Sequence, residues 1–448
     1  MGIIVKTQIF VKNVICSIFV KRFSLLKNLN GVIQNKLNLL NRRMIIHKEK
    51  KKQDLTLEPE IHNFYLGGEK WGFSDKIYMA LTKKRVSSNY NPKIFTTIKK
   101  IPNLIPNKEV FGLFWSKPTF KDVDCNYLLH LSDKDNIDYI ISTSSGNTVE
   151  SMARTIKKYN SEKHKNVKAI LLVPELSSYK VSKSAIIDNP YVKFIVLKNS
   201  TLDSTRKFAR ELIDSLKANH RVVCADANKK TAAYAQIGFA LKEEKLMDDN
   251  ICYVQTVSGG VGATGFIESA LQLKVNPEIL VIQPSSEKSA PIVDALFQHS
   301  NGKDPLLIFK NGEYTTSRIE PTLGSAHPLY AIDKFVQWRE KGGRIIPGRI
   351  TKEDLVMYKE KILDALVKIG VYPNKDIGSK LYELEKSGFI AFVGAIIFAN
   401  KIESSKIIIN FTGRYPDPDT LIPRPAAPHL IYEPLKGVQE LIKRLNLY

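Results

Sequence analysis

A chain of 448 residues is long enough for two ordinary domains or two lobes around a cleft. With 43% hydrophobic and 25% charged residues, its composition excludes a disordered or fibrous protein, and the net charge of +22 raises the question of a nucleic-acid partner. The first 48 residues hold nine Lys/Arg and no acid; without them the charge is +13, spread along the chain, and no zinc finger, RNA-binding aromatic motif or basic heptad helix accompanies it, so no nucleic-acid partner is expected.

In chain order, residues 1–45 read as a basic, acid-free leader of the mitochondrial transit kind, or as an upstream tail of a cytoplasmic protein if Met44 is the true start. His47–Lys52 reads as a linker, and residues 46–115 as an N-terminal segment of weak pattern that packs on the larger lobe. A strong alternation follows. Short β-branched runs at Tyr139–Ser142, Ala169–Val173, Phe194–Leu197 and Val222–Ala225 are each followed by a helical pattern: Val149–Tyr159, Tyr179–Ile186, Leu202–Ala218 and Thr231–Lys245. A second series runs through strand Cys252–Val257, helix Phe266–Leu273, strand Ile279–Ile282 and helix Pro291–Gln298. Helix Lys352–Val367 opens on Thr351 as N-cap, and helix Ile390–Asn400 precedes strand Lys406–Phe411. Pro416, Pro418, Pro423, Pro425 and Pro428 then predict an extended tail.

Strands alternating with helices predict an α/β fold with mostly parallel sheets: a smaller lobe over 116–225 and a larger one over 226–448. Cys16, Cys125, Cys224 and Cys252 form no CxxC pair, so neither a disulfide framework nor a metal site is expected. No run approaches the roughly 18 apolar residues of a membrane span.

Three segments carry chemistry. Ser258-Gly259-Gly260-Val261-Gly262-Ala263-Thr264-Gly265 follows a strand and opens a helix, so backbone N–H groups converge at the positive end of a helix dipole, a phosphate cradle. Gly260–Gly265 also spells G-x-G-x-x-G, which keeps a nicotinamide-dependent oxidoreductase open. However, the next strand ends Ile282-Gln283-Pro284, without the acid a dinucleotide fold places about 20 residues on. Lys121, within Lys117-Pro118-Thr119-Phe120-Lys121-Asp122, sits beside an apolar residue at a helix start, a setting suited to Schiff-base chemistry. Ser144-Ser145-Gly146-Asn147-Thr148 is a small-residue turn, and its Asn147 could hydrogen-bond a phenolic oxygen without adding charge.

"PTFKD", "SSGNT", the glycine turn and a late strand ending in a small hydroxyl residue occur in the order found in fold-type II pyridoxal phosphate enzymes. Over roughly residues 110–415 the chain resembles the threonine synthase and cysteate synthase group, on "YVQTVSGGVGATGFIES" and "IIINFTGRYPD". The resemblance implies two open, mostly parallel twisted sheets flanked by helices, with pyridoxal 5'-phosphate in the cleft between lobes. Lys121 would be the Schiff-base lysine and Asn147 would hold the ring oxygen. Gly259, Gly260, Val261, Gly262, Ala263 and Thr264 would cradle the phosphate. Thr412 would face the ring nitrogen and, as a neutral hydroxyl, leave it unprotonated, favouring elimination and replacement. Ser144, Ser145 and Thr148 would take the carboxylate of a small amino-acid substrate, and Lys117, Arg154 and Arg414 are candidates by position for an anionic leaving group. A homodimer is the group's habit. "FKD" continues with Val123-Asp124 rather than the Arg-Gly usual in threonine synthases, so O-phosphohomoserine and O-phosphoserine both stay open as substrates. A non-catalytic member of the fold is the remaining alternative.

Overall fold

A computed structural model describes residues 97–114, 121, 125, 129, 136–144, 147–224, 234–285, 288–311, 314, 315, 317, 319, 320, 323, 325, 328–413, 416 and 421–447. The expected leader, most of segment 46–115, Lys117, Ser145 and Arg414 lie outside the described residues.

Two sheets organise the chain. The larger has six strands in the order β1 (Thr97–Lys100), β2 (Glu109–Phe114), β10 (Lys406–Phe411), β7 (Ile251–Thr256), β8 (Glu278–Pro284) and β9 (Ile345–Ile350). Only the β1–β2 pair is antiparallel. The smaller is wholly parallel, in the order β11 (Leu430–Tyr432), β5 (Val192–Leu197), β4 (Lys168–Pro174), β3 (Tyr139–Thr143) and β6 (Val222–Cys224). The expected α/β class with two open, mostly parallel sheets is the one found. Every residue of β7 and β8 is buried, the signature of central parallel strands covered on both faces, and their Ile- and Val-rich sequences supply that cover.

Helices close the sheets through ordinary local chemistry. Thr351 caps helix Lys352–Lys368 by accepting from the Asp354 N–H, and Asp354 answers by accepting from the Thr351 N–H. Thr201 and Ser204 make the same reciprocal pair at helix Leu202–Leu216. Helix Ser387–Ile397 is buried from Ser387 through Ala395, so it is core rather than cover. Its Phe389 and Phe392 surround Phe411 with Phe114 and Tyr372, ring centroids 5.5–6.4 Å away.

Two expectations need correction. The tail is not simply extended: Leu430–Tyr432 becomes an edge strand of the smaller sheet, and helix Gly437–Leu445 buries Leu441 and Ile442 against it. Its prolines do delay regular structure, which begins only two residues after Pro428. The helix expected over Tyr179–Ile186 is broken into a 3-10 turn, Glu175–Lys180, and a short helix, Lys183–Ile186. Tertiary partners take the backbone between them. The Ala426 N–H donates to the Val181 carbonyl at 2.7 Å, and the Ser182 N–H donates to the buried Glu150 carboxylate at 2.5 Å.

Candidate active site

Ligands of open α/β sheets collect beyond the C-terminal ends of the strands, and the candidate residues fall there. β10 and β7 are adjacent and parallel, with Asn410 opposite Gln255, so Thr412 just past β10 lies beside the turn that follows β7. In that turn Gly260 is the N-cap of helix Val261–Leu273 at φ +74°, a left-handed conformation that side chains rarely adopt. A Cβ at Gly260 would overlap Ala331, so glycine is required by backbone and by packing. The first helical bond runs from the Thr264 N–H to the Gly260 carbonyl at 3.0 Å. The Val261, Gly262 and Ala263 N–H groups precede it, and among the described residues no side chain caps this end. Thr264 turns its hydroxyl back to the Val261 carbonyl at 2.9 Å.

Gln283, at the end of β8, stands near where a dinucleotide fold would present its acid. Its side-chain oxygen is already taken by the Ile292 and Val293 N–H groups at 2.8 and 3.1 Å, capping helix Pro291–Ser300. The strand end thus serves a helix rather than a ribose.

On the smaller sheet, Ser144 follows β3 half-buried, and helix Asn147–Lys163 starts at Asn147 with Thr148 buried in its first turn. The side chain of Asn147 lies outside the described residues. Lys121, Cys125 and Leu129 are helical and recur every four residues, hence on one face. The Cys125 Sγ reaches the Thr148 carbonyl at 3.8 Å, which sets the Lys121 helix against the Asn147 turn. Arg154 is two turns deeper, roughly 10 Å along the axis from Asn147, paired with Glu150 at 3.7 Å. Arg154 also donates to the Ser151 hydroxyl at 3.4 Å.

Three residues escape a reading by motif. The Lys121 amino group hydrogen-bonds the buried Tyr234 hydroxyl and stands 4.6 Å from that ring's centroid. Tyr234 was visible only as one aromatic among small residues in Ala232-Ala233-Tyr234-Ala235. Ser387 and Glu385 are the others: Thr412 Oγ1 donates to Ser387 Oγ at 3.4 Å, and Ser387 Oγ donates to Glu385 Oε1 at 2.7 Å. Ser387 opens an apolar helix and Glu385 closes the preceding one, so both read as plain helix-boundary residues. Burial first, and then the Glu385 charge, push the Tyr372 phenol up from its ordinary range.

Two contacts tie the sheets together beside these groups. Lys180, after β4, forms a buried ion pair at 2.5 Å with Glu320, whose other oxygen accepts the Lys386 N–H at 2.7 Å. Arg206 donates to Ser325 at 3.2 Å.

No family model matches the sequence, and neither does any curated protein. Solved structures match by fold. A pyridoxal 5'-phosphate-dependent aspartate racemase aligns over 73% of this chain and 92% of its own, at 15% identity and a TM-score of 0.53. Maize serine racemase aligns over 83% and 97%, at 16% identity and TM-score 0.53. The processed form of threonine deaminase isoform 2 from Solanum lycopersicum aligns over 78% and 84%, at 16% and 0.51. This is fold type II. At such identities the likeness is one of architecture, and it does not single out the threonine synthase and cysteate synthase group.

Proposed function

We propose that the chain is a pyridoxal phosphate-dependent enzyme that eliminates or replaces an anionic leaving group on an amino acid. The observation that carries this reading is the Lys121 amino group held by Tyr234, on a helix set against the Asn147 turn, in a fold shared with enzymes of that cofactor.

The residues fit the cofactor. Gly260 holds the turn in its left-handed conformation, packed against Ala331, and among the described residues the helix behind it offers N–H groups without a side-chain cap. Gly259, Gly260, Val261, Gly262, Ala263 and Thr264 would hold the phosphate, Thr412 would meet the ring nitrogen, and Asn147 would meet the ring oxygen. Bound there, the cofactor supplies an electron sink for the pair left when the substrate loses its Cα proton. Lys121 Nζ takes and returns that proton, and the Tyr234 hydroxyl, in contact with Nζ, keeps the amine aimed and shares its proton. Ser144, Ser145 and Thr148 bind the substrate carboxylate. Lys117, Arg154 and Arg414 are the candidates for the leaving group's charge. Dimerisation, and import through residues 1–45, belong to the same proposal.

The test is the visible spectrum of purified protein with added pyridoxal phosphate, for wild type and Lys121→Ala. A band that borohydride abolishes, present in wild type and missing from the variant, is expected. Phosphate release from O-phosphoserine and O-phosphohomoserine, beside serine, threonine and aspartate, then ranks substrates. Wild type showing no band with excess cofactor would sink the reading.

A further inference from the structure

We propose that Arg206 and Ser325 form a phosphate-binding pair beside the glycine turn, brought to it from outside the turn's own segment; this rests on the function proposed above. Arg206 lies in the second turn of helix Leu202–Leu216, which packs on the smaller sheet. Ser325 belongs to the segment before helix Leu329–Glu340, on the larger sheet's side of the chain. Arg206 Nη1 donates to Ser325 Oγ at 3.2 Å. A Cβ at Gly259 would stand 4.0 Å from that same oxygen, so the serine lies against the turn with the guanidinium one hydrogen bond behind it. The direction of this bond is fixed by chemistry. A guanidinium has only donors, so Ser325 accepts and keeps its own proton to give. Among the described residues nothing takes that proton.

These groups suit a phosphate monoester, which brings about two charges and three strong acceptor oxygens. The helix end supplies backbone N–H groups and Ser325 supplies a hydroxyl. Arg206 supplies a fork: Asp203 at 3.0 Å and Ser325 share Nη1, while Nε and Nη2 have no partner among the described residues. Asp203 does not cancel the arginine. The two side chains are 38% and 32% exposed, a setting in which an ion pair is weak and a dianion outweighs it. Ser325 is only 6% exposed, which keeps its hydroxyl at the turn. Two phosphates come to this place under the proposed function: the cofactor's, and the one a phosphorylated amino acid would lose. Arg206 is the cation that a hydrogen bond links to the turn itself.

The deciding measurement is ligand affinity by spectroscopic titration of the whole protein, for wild type, Arg206→Gln and Ser325→Ala. Each phosphorylated ligand is set beside its phosphate-free counterpart: pyridoxal phosphate beside pyridoxal, then O-phosphoserine and O-phosphohomoserine beside serine and homoserine on the cofactor-loaded protein. Arg206→Gln is expected to weaken at least one phosphorylated ligand about tenfold or more and its counterpart less than about twofold, with a smaller loss of the same selectivity in Ser325→Ala. A loss on pyridoxal phosphate assigns the pair to the cofactor, and a loss confined to the phosphoamino acids assigns it to the leaving group. Equal losses with and without the phosphate would reduce the pair to a structural tie and overturn the inference, as would wild-type affinities in both variants; either result leaves the proposed function intact. A wild type that forms no Schiff-base band overturns both. Should Arg206→Gln fail to fold by circular dichroism, Ser325→Ala decides by the same comparison.

Discussion

Neither sheet is built from one continuous stretch, and the two are completed from opposite ends of the chain. The larger sheet takes β1 and β2 from residues 97–114 and its remaining strands from beyond residue 250. The smaller takes β3 to β6 from the middle and closes its edge with β11, only nineteen residues after β10 has ended in the larger sheet. The chain therefore crosses between sheets three times, after β2, after β6 and after β10. Lys121 lies in the first crossing, Tyr234 in the second and Thr412 at the head of the third. The glycine turn differs: it sits wholly within the larger sheet's series and depends on no crossing. A turn fixed within one sheet is thus paired with Lys121, Tyr234 and Thr412, whose placement depends on how the sheets are tied.

Breaking a tie should cost most. Lys180→Met removes the cation from a pair whose side chains are 1% and 2% exposed, leaving Glu320 charged and buried, at about 3–5 kcal/mol. The double variant Lys180→Met/Glu320→Leu is expected to recover most of that loss in urea unfolding. If the single variant unfolds like wild type, the pair is not a tie. Disturbing the glycine turn comes next. Gly260→Ala forces a left-handed alanine and an overlap with Ala331, together about 2–4 kcal/mol, with loss of cofactor retention on gel filtration. Emptying the tail's anchor is smaller. Leu441→Ala should cost about 2–3 kcal/mol, toward the low end for a buried leucine because a terminal helix can settle into the gap. It should leave the cofactor spectrum unchanged, since Leu441 packs in a cluster of the smaller sheet that contains none of the candidate site residues.

The sequence was most legible where one local signal decided the outcome. Lys406–Phe411 was bounded correctly because one charge opens a β-branched run, Ile407 to Ile409, that Asn410 and Phe411 carry to its end. Thr351 declared its helix because the capping pair is local. Legibility failed where a distant partner outbid the local pattern. Val181 and Ser182 sit in a helical pattern, yet Ala426 and Glu150 pull their backbone extended from 245 and 32 residues away. The candidate site divides the same way: the glycine turn is contiguous and could be read, whereas Ser387 and Glu385 join it only through a hydrogen bond to a strand end 25 residues later. Composition cannot announce contacts between residues that each read as ordinary helix boundaries.

The smallest expected effect tests whether the tail's docking responds to pH. His429 Nδ1 accepts the Phe194 N–H at 2.9 Å, while the His429 N–H donates to the Phe194 carbonyl, also at 2.9 Å. Only a neutral imidazole can accept, and burial, then the neighbouring Lys193, hold this group below the ordinary histidine range. A histidine depressed in the folded state binds fewer protons there than when unfolded, so stability rises with pH. The contribution is complete above the ordinary value of 6.5 and fades as pH falls toward the folded value. Because His429 is only partly covered, screening limits it to less than about 1 kcal/mol. Limited proteolysis should nick the segment around residue 429 faster at pH 5 than at pH 7.5, and His429→Asn should flatten that difference. Equal nicking at both pH values would show that the backbone ladder to β5 holds the tail without the ring.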